Sequence, residues 1–409
     1  MACRYIYTLV LLVIAAVFTA GKDHKTSSAA ENVEFKFAKL YRVALPTESF
    51  PEDKIKSIDR YFRDRSIRGY FNGVVLVADT THIFTKAYGY ANRSARERLN
   101  TQSVFQIASI SKTITATAVI MLAQDSLIDL RLPVSHYLKG FPYSRVTLEM
   151  LLNHKSGLAD YTKFSSGSWT DLSRPMSNED MLSIMIRRRP RSYMAAGYHY
   201  RYCNTNYALL ACIVERITGE GFASWVHKNI FEPVGMENTF FVTEVDKMKS
   251  HQNQTMGYSG QRVPEEALNF LDGVLGDKGV YSTVEDLLKF DRALTAGFLV
   301  SPQWEEKVYK NYTDTVHPYG YGWRIYEGYK DRMVVYHNGW WHGYRGRFLR
   351  LPREGKTVII LENATRGSFS VPTLISVSER LFGKYVPPVN TQADTLSVAE
   401  VLPELDEES

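Results

Sequence analysis

The chain has 409 residues, of which 44% are hydrophobic and 23% are charged, and it carries a formal net charge of +5. This composition is typical of a folded soluble protein, and the length suffices for one large domain or two ordinary ones. A charge this small for the length gives no indication of a nucleic-acid partner.

The first 21 residues differ in composition from the rest of the chain. Arg4 provides a short positive region, and an apolar run extends from Ile6 to Ala20. The small residues Thr19 and Gly21 precede a possible cleavage site after Gly21. This pattern predicts a signal peptide over residues 1–21 and a secreted or periplasmic protein. A bilayer-spanning helix needs about 20 apolar residues, so the run is short for an anchor, although an uncleaved anchor remains the alternative.

The first folded elements follow a polar linker at residues 22–48. Apolar residues at helical spacing predict a helix from Pro51 to Arg65. The runs Gly73–Ala78 and Ile83–Tyr88 are separated by a short polar turn, which predicts a β-hairpin.

A serine and a lysine three residues apart, Ser109 and Lys112, lie just before the apolar run from Thr113 to Ala123. If Ser109 opens a buried helix, this spacing puts both side chains on one face of its first turn. A serine hydroxyl needs a base to become a nucleophile, and a buried lysine can lose its charge and act as that base. By itself the pair is weak evidence, because a chain this long contains about one such spacing by chance.

Helical spacing of apolar residues predicts four helices in the middle of the chain. The first lies within residues 146–158 and is closed by a loop, and the others cover residues 178–189, 207–218 and 284–295. Residues 163–174, which separate the first two, are predicted to form a mobile loop.

A cluster of arginines ends the second of these helices, at Arg187, Arg188, Arg189 and Arg191. Two interpretations remain open at this point. The cluster is either a solvated helix end, where cations match the helix dipole, or a surface that attracts an anionic substrate or envelope polymer.

Cys203 and Cys212 remain after the predicted signal peptide is removed. Nine residues of helix separate their Cα atoms by roughly 13 Å. A disulfide needs Cα atoms less than about 7 Å apart, so we expect two free thiols.

The C-terminal part returns to strand patterns before a last helix. The predicted strands are Gly322–Tyr326, Met333–His337, Gly346–Leu351 and Thr357–Asn363, and the helix covers residues 372–383. This order predicts an α+β fold, in which both chain ends build one antiparallel sheet flanked by helices and the middle forms an inserted helical lobe. The folded domain is expected at residues 49–386, with a cleft between the lobes and a disordered acidic tail at 387–409.

Several stretches of the sequence resemble the β-lactamase-related serine hydrolases, from about Gly73 to Phe382. Ser109-x-x-Lys112 matches the Ser-x-x-Lys motif of penicillin-recognising enzymes. The other matching stretches are Leu151–Leu158, Tyr202–Tyr207, Gly279–Thr283, Tyr319–Trp323 and His337–Gly339. The resemblance implies the β-lactamase/transpeptidase-like fold, with Ser109 as nucleophile and Lys112 and Tyr202 sharing general-base and general-acid work.

The second element of the resemblance is Tyr202-x-Asn204, just before a predicted helix. We expect the nearby lysine ammonium to lower the pKa of the Tyr202 phenol, which would act as base and then as acid. Asn204 offers a side-chain amide that can bind a substrate carbonyl.

The third element is His337-Asn338-Gly339, predicted at a strand edge that meets the substrate. Glycine at the third position permits close backbone approach. The resemblance implies an oxyanion hole made by the N–H groups of Ser109 and Trp340. Because histidine is mostly neutral at pH 7, His337 favours substrates that lack a free carboxylate.

Two other histidines lie in or near these elements. His154 is interpreted as a structural residue that holds its loop. For His342 the sequence leaves two possibilities open, a cleft wall or a structural role.

These features predict a serine hydrolase that cleaves an ester or amide in a small-molecule or peptide substrate through an acyl-enzyme. An esterase or D-peptidase is the main expectation, with a class C-like β-lactamase or DD-carboxypeptidase as the alternative. A non-catalytic binder of peptidoglycan peptides is a further alternative, and cell-envelope association is possible. No metal or cofactor is expected, because no His-Glu-x-x-His or paired-cysteine motif is present. No Gly-x-Ser-x-Gly elbow is present either.

Overall fold

A computed structural model describes residues 43–383, except 172, 261–262, 265–267, 329–331 and 365–368. The predicted signal peptide, most of the linker and the acidic tail therefore lie outside the described residues. Within the described ranges, every helix is too short or too polar to cross a bilayer.

The structure contains thirteen strands among the described residues. They are β1 (Gly73–Ala78), β2 (Ile83–Tyr88), β3 (Tyr90–Asn92), β4 (Glu97–Arg98), β5 (Phe105–Gln106), β6 (Phe240–Phe241), β7 (Tyr258–Ser259), β8 (Val263–Pro264), β9 (Val280–Ser282), β10 (Arg324–Tyr326), β11 (Val334–Trp341), β12 (Tyr344–Leu351) and β13 (Lys356–Glu362).

The α-helices of the same part of the chain are α1 (Glu52–Ile67), α2 (Ser111–Gln124), α3 (Val134–Tyr137), α4 (Leu148–Leu152), α5 (Tyr161–Phe164), α6 (Asn178–Arg188), α7 (Asn204–Thr218), α8 (Phe222–Val226), α9 (Glu232–Val234), α10 (Val245–Ser250), α11 (Val284–Thr295), α12 (Pro302–Val308) and α13 (Val371–Phe382). A 3₁₀ turn at Ala108–Ile110 leads directly into α2, and a π-helical segment at His227–Phe231 joins α8 to α9.

Six strands form one antiparallel sheet in the order β10-β11-β12-β13-β1-β2. β1 comes from the N-terminal part of the domain and pairs with β13 from the C-terminal part, with Val75 opposite Ile360. This arrangement confirms the predicted α+β sheet built from both chain ends. Every residue of β1 is buried because helices cover both faces of the sheet.

Alternate residues of the central strands face two different layers. Val75 and Val77 pack with Ile58 and Phe62 of α1 in one cluster, which also includes residues of α13. Val74 and Leu76 point to the other face and pack in the cluster that contains α2 and α7. The period of two along a strand produces this division.

Helix α2 is buried nearly all round, as the apolar run predicted. It lies at the boundary between the sheet and the helical lobe and contacts α7, against which α4 and α6 also pack. The Ser109 turn at its N-terminus is thereby held between the two parts of the domain.

Several predicted boundaries shift in the structure. The helix predicted within residues 146–158 covers Leu148–Leu152, and the loop predicted to close it contains His154 and Gly157, which adopt left-handed backbone conformations with φ of 58° and 69°. The strand predicted to end at His337 continues to Trp341, where it still pairs with Tyr344. A two-residue turn of positive-φ residues, His342 and Gly343, then closes the hairpin.

Candidate active site

Ser109 lies in the middle of the 3₁₀ turn that precedes α2, two residues before the first α-helical residue. The segment before the turn is fixed because β5 pairs with β9. Ala108 has a φ of 49°, a strained conformation for a residue with a side chain. Ser109 itself is partly exposed, so its hydroxyl can be reached from outside.

Lys112 is fully buried on the same face, one turn after Ser109. Its Nζ donates to Ser109 Oγ at 3.0 Å, to Asn204 Oδ1 at 2.9 Å and to the Asp277 carbonyl oxygen at 2.9 Å. Burial lowers the pKa of Lys112 to about 8, although the carboxylates of Asp277 and Asp160 oppose the decrease. The side chain can therefore exchange a proton near neutral pH, as a general base must.

The Tyr202 phenol lies close to the Ser109 hydroxyl. The Lys112 ammonium is 4.8 Å from the centre of its ring. We expected this cation to lower the pKa of the phenol, but burial raises it, and the Arg324 guanidinium offsets only part of the increase. Tyr202 is therefore a neutral proton donor at pH 7, and Lys112 is the better base.

The segment that carries Tyr202 and Asn204 is fixed at its backbone. The Asn204 N–H donates to Asp160 Oδ2 at 2.8 Å, and the Cys203 N–H donates to His154 Nδ1 at 3.1 Å. The buried His154 ring also packs on Tyr202, with 4.3 Å between ring centres. These contacts agree with the structural role expected for His154.

Both cysteines of the described region are buried free thiols, as predicted. Cys203 lies between Tyr202 and Asn204, and Cys212 lies two turns along α7.

His337 is 1% exposed and is enclosed by other protein groups. Its Nδ1 is 2.7 Å from the Asn338 carbonyl oxygen, which can only accept, so Nδ1 carries the hydrogen. Nε2 therefore accepts from the Tyr319 hydroxyl at 3.0 Å. Burial lowers the pKa of His337 well below 6.5, which agrees with a neutral ring. Its one donor is used within the protein, so the structure offers no free His337 N–H to a substrate.

Strand β11 passes close to the Ser109 turn at Gly339. β10 pairs with β11 only from Val334 to Tyr336, which leaves the edge from His337 to Trp341 facing that turn. A Cβ on Gly339 would lie 2.2 Å from the Ile107 carbonyl oxygen. Glycine is therefore needed for close backbone approach, as predicted. The group that approaches it in the structure is the turn that carries Ser109.

Trp340 and Trp341 differ in their surroundings. The Trp340 side chain is 57% exposed. Trp341 donates through Nε1 to Asp272 Oδ1 at 2.7 Å, and His342 Nε2 lies 2.9 Å from Asp272 Oδ2. The hydrogen bond of His342 to a buried carboxylate favours the structural interpretation of this residue.

Substitution of Gly339 by alanine is expected to lower kcat by about 100-fold, because a 1 Å misplacement of reacting groups has an effect of that size. The added methyl group must push β11 away from the Ser109 turn, and overpacking also lowers the melting temperature. Steady-state kinetics and thermal unfolding measure both effects. Gly167→Ala is the matched control, since a Cβ there has nothing within 4 Å. Equal activity of the two variants would contradict the assigned close approach.

Sequence reasoning missed three charged residues of the site, Arg324, Asp160 and Asp277. Arg324 is partly exposed, and its guanidinium lies 5.3 Å from the centre of the Tyr202 ring. A signal was available for two of them. Arg324 directly follows the Tyr319–Trp323 stretch, and Asp277 lies two residues before the Gly279–Thr283 stretch.

The arginines at the end of α6 are exposed, and none makes an ion pair with another described residue. Among the described residues, no group of three or more His, Cys, Asp or Glu side chains is placed to hold a metal ion.

The chain is similar to known proteins over most of its length. The family described as Beta-lactamase matches residues 58–375. Penicillin-binding protein 4* of Bacillus subtilis is 30% identical over 350 residues, which cover 81% of this chain and 77% of that protein. D-aminopeptidase of Brucella anthropi is 25% identical over 75% of this chain and 59% of its own length. The octameric penicillin-binding protein homologue from Pyrococcus abyssi superposes with a TM-score of 0.71 at 25% identity, covering 81% of this chain and 78% of that chain.

Proposed function

Because the chain belongs to the Beta-lactamase family of serine hydrolases, we propose that it cleaves amide bonds beside D-residues through an acyl-enzyme on Ser109. The observation that carries this proposal is the 3.0 Å hydrogen bond between Lys112 Nζ and Ser109 Oγ at a fully buried lysine. The pKa of that lysine, about 8, lets it serve as a base at physiological pH.

In the proposed acylation step, neutral Lys112 takes the proton of Ser109 while Oγ forms a bond to the substrate carbonyl carbon. The carbonyl oxygen becomes an oxyanion, to which the N–H groups of Ser109 and Trp340 would donate. Tyr202 gives its proton to the leaving amine as the C–N bond breaks, and the Lys112 ammonium returns a proton to the phenolate. The product of this step is an ester on Ser109.

Deacylation uses the same groups with water in place of the serine. Lys112 takes a proton from the water, whose oxygen attacks the ester carbonyl. The Ser109–acyl bond then breaks, and the serine oxygen regains a proton through Tyr202 and Lys112. The side-chain oxygen of Asn204 accepts from Lys112. We propose that its NH₂ group donates to the substrate's carbonyl group.

The relatives support the substrate class. One is named D-aminopeptidase and another penicillin-binding protein. We therefore propose a peptide or amide with a D-residue on the acyl side of the cleaved bond, with short esters as faster model substrates.

The test compares D- and L-alanine p-nitroanilide, with nitrophenyl butyrate as a general acyl donor. The D-isomer is expected to have the larger kcat/KM by at least about tenfold, the range that shape differences in one pocket supply. Preference for the L-isomer would contradict the proposal. If only the ester is hydrolysed, and neither anilide, the protein is an esterase rather than a D-peptidase.

A second candidate, a DD-carboxypeptidase, is favoured by Arg324. A neutral His337 supplies no permanent cation for a substrate carboxylate. The Arg324 guanidinium, which lies 5.3 Å from the centre of the Tyr202 ring and is always charged, is a permanent cation beside the site. Arg324 is partly exposed, although its Nε is buried. An arginine suits a carboxylate because it can bind both oxygens.

Substitution of Arg324 by glutamine tests this candidate. For a peptide ending in D-Ala-D-Ala, kcat/KM is expected to fall by at least about tenfold, the effect of losing one charged hydrogen bond. For nitrophenyl butyrate, which has no carboxylate, the change should be much smaller. Equal losses on both substrates would assign Arg324 a purely structural role. In the wild type, a tenfold preference for nitrocefin over nitrophenyl butyrate would instead favour a β-lactamase.

We also propose export, with possible association with the cell envelope, on the basis of the pattern at residues 1–21. N-terminal sequencing of the native protein should return a start near Lys22. A start at Met1 in a cytosolic fraction would contradict export.

A further inference from the structure

A second buried lysine lies beside the proposed site. Lys278 Nζ donates to the Tyr161 hydroxyl at 2.5 Å, to the Leu271 carbonyl oxygen at 2.8 Å and to the Val274 carbonyl oxygen at 3.4 Å. Three acceptors match the three protons of an ammonium group. The nearest carboxylate oxygen, Asp277 Oδ1, is 3.8 Å away. Lys278 is thus a buried cation that the proposed mechanism does not use.

Asp277 connects this cation to the proposed base. Both of its carboxylate oxygens accept from the Tyr161 hydroxyl at 3.1 Å. The carbonyl oxygen of the same residue accepts from Lys112 Nζ at 2.9 Å. One residue therefore links Tyr161, through its carboxylate, to Lys112, through its carbonyl oxygen.

We propose that Asp277, Tyr161 and Lys278, here called the Asp277 cluster, are positioning residues that hold Lys112 and set the pH at which it becomes a base. This inference rests on the function proposed above and deepens it. None of the three residues needs to touch the substrate.

The charges in the cluster act on Lys112 in opposite directions. Burial lowers the pKa of Lys112, and the Asp277 carboxylate raises it. Burial lowers the pKa of Lys278, and repulsion from the Lys112 ammonium lowers it further. The same repulsion acts on Lys112 and opposes its ammonium form. Burial also raises the pKa of Asp277 itself, whereas the positive charges of Lys278 and Lys112 lower it.

Other titratable or charged groups from several elements also face Lys112 and contribute to its pKa. They are Asp160, His154, Tyr202, Cys203, Tyr207, Arg324 and His337. These groups are unchanged in the variants below, so differences between variants report the Asp277 cluster.

The experiment measures kcat/KM for nitrophenyl butyrate against pH in Asp277→Asn and Lys278→Met. Activity should rise with pH as Lys112 loses its proton, so the acid limb reports its pKa in the free enzyme. Loss of the carboxylate in D277N should move the midpoint down by about 1 pH unit, and loss of the cation in K278M should move it up by about 1 unit. D277E, which retains the charge, should keep a midpoint near that of the wild type.

The matched control is Asp286→Asn. Asp286 is also a buried aspartate, but its partners are Lys289 at 3.0 Å, the Thr239 hydroxyl and the Asn238 N–H, in a different part of the domain from Lys112. This variant should unfold at a lower temperature with an unchanged midpoint. A purely structural role of the Asp277 cluster would give the same pattern in all variants.

Midpoints that stay fixed, or that move in one direction in both D277N and K278M, would overturn the inference. If D277N does not fold, an unmoved or lowered midpoint in K278M overturns it alone. Failure of the proposed function would look different, since wild-type Ser109 would then not be acylated at all.

Discussion

Replacement of Ser109 by alanine is expected to lower kcat for ester and amide substrates by at least about a thousandfold, since a missing nucleophile prevents the acyl-enzyme route. The side chain loses the oxygen that accepts from Lys112. Lys112 keeps its bonds to Asn204 and Asp277. The fold should therefore be retained.

Stopped-flow measurement of product release in the first turnover checks this prediction, together with circular dichroism and thermal unfolding. Ser111→Ala is a suitable control, because that serine is buried and its hydroxyl accepts from the Val280 N–H rather than contacting the substrate cleft. An S109A enzyme that keeps more than about a tenth of wild-type turnover would exclude Ser109 as nucleophile.

Replacement of Lys112 by methionine is expected to slow acylation by about 10²- to 10⁴-fold, the usual contribution of a general base. Methionine has a similar length but cannot accept the Ser109 proton. In the wild type, activity should rise with pH around 8 as Lys112 loses its proton. The residual activity of the variant should not show this rise.

The shape of the pH profile separates chemistry from packing in K112M. A variant that is merely destabilised would show lower activity with the wild-type midpoint and a lower melting temperature. Persistence of the midpoint near pH 8 in a folded K112M enzyme would show that another group is the base. Tyr202 would then be the next candidate, although burial raises the pKa of its phenol and so opposes its action as a base.

Local sequence signals predicted the elements that depend on neighbouring residues. The β1–β2 hairpin has the predicted bounds, because two apolar runs flank a short polar turn. Helix α11 also begins and ends as predicted, and Thr283 caps it by accepting from the Asp286 N–H. The contact of Ser109 with Lys112 follows in the same way from helical geometry.

Features that depend on distant residues could not be predicted in this way. Asp277 meets Lys112 across 165 positions of the chain, so no local pattern indicates the contact. The pKa of Tyr202 was predicted in the wrong direction because a neighbouring cation was considered without the desolvation that burial brings. His337 was correctly expected to be neutral, but its engagement by Tyr319 depends on tertiary packing.

The most direct test of the account is mass spectrometry of the protein quenched in acid during turnover of nitrophenyl butyrate, followed by peptide mapping. A proposed acyl-enzyme predicts one butyryl group per chain on the peptide that contains Ser109, and no adduct in S109A. Turnover without any adduct on that peptide, or an adduct that persists at another residue in S109A, would contradict the account.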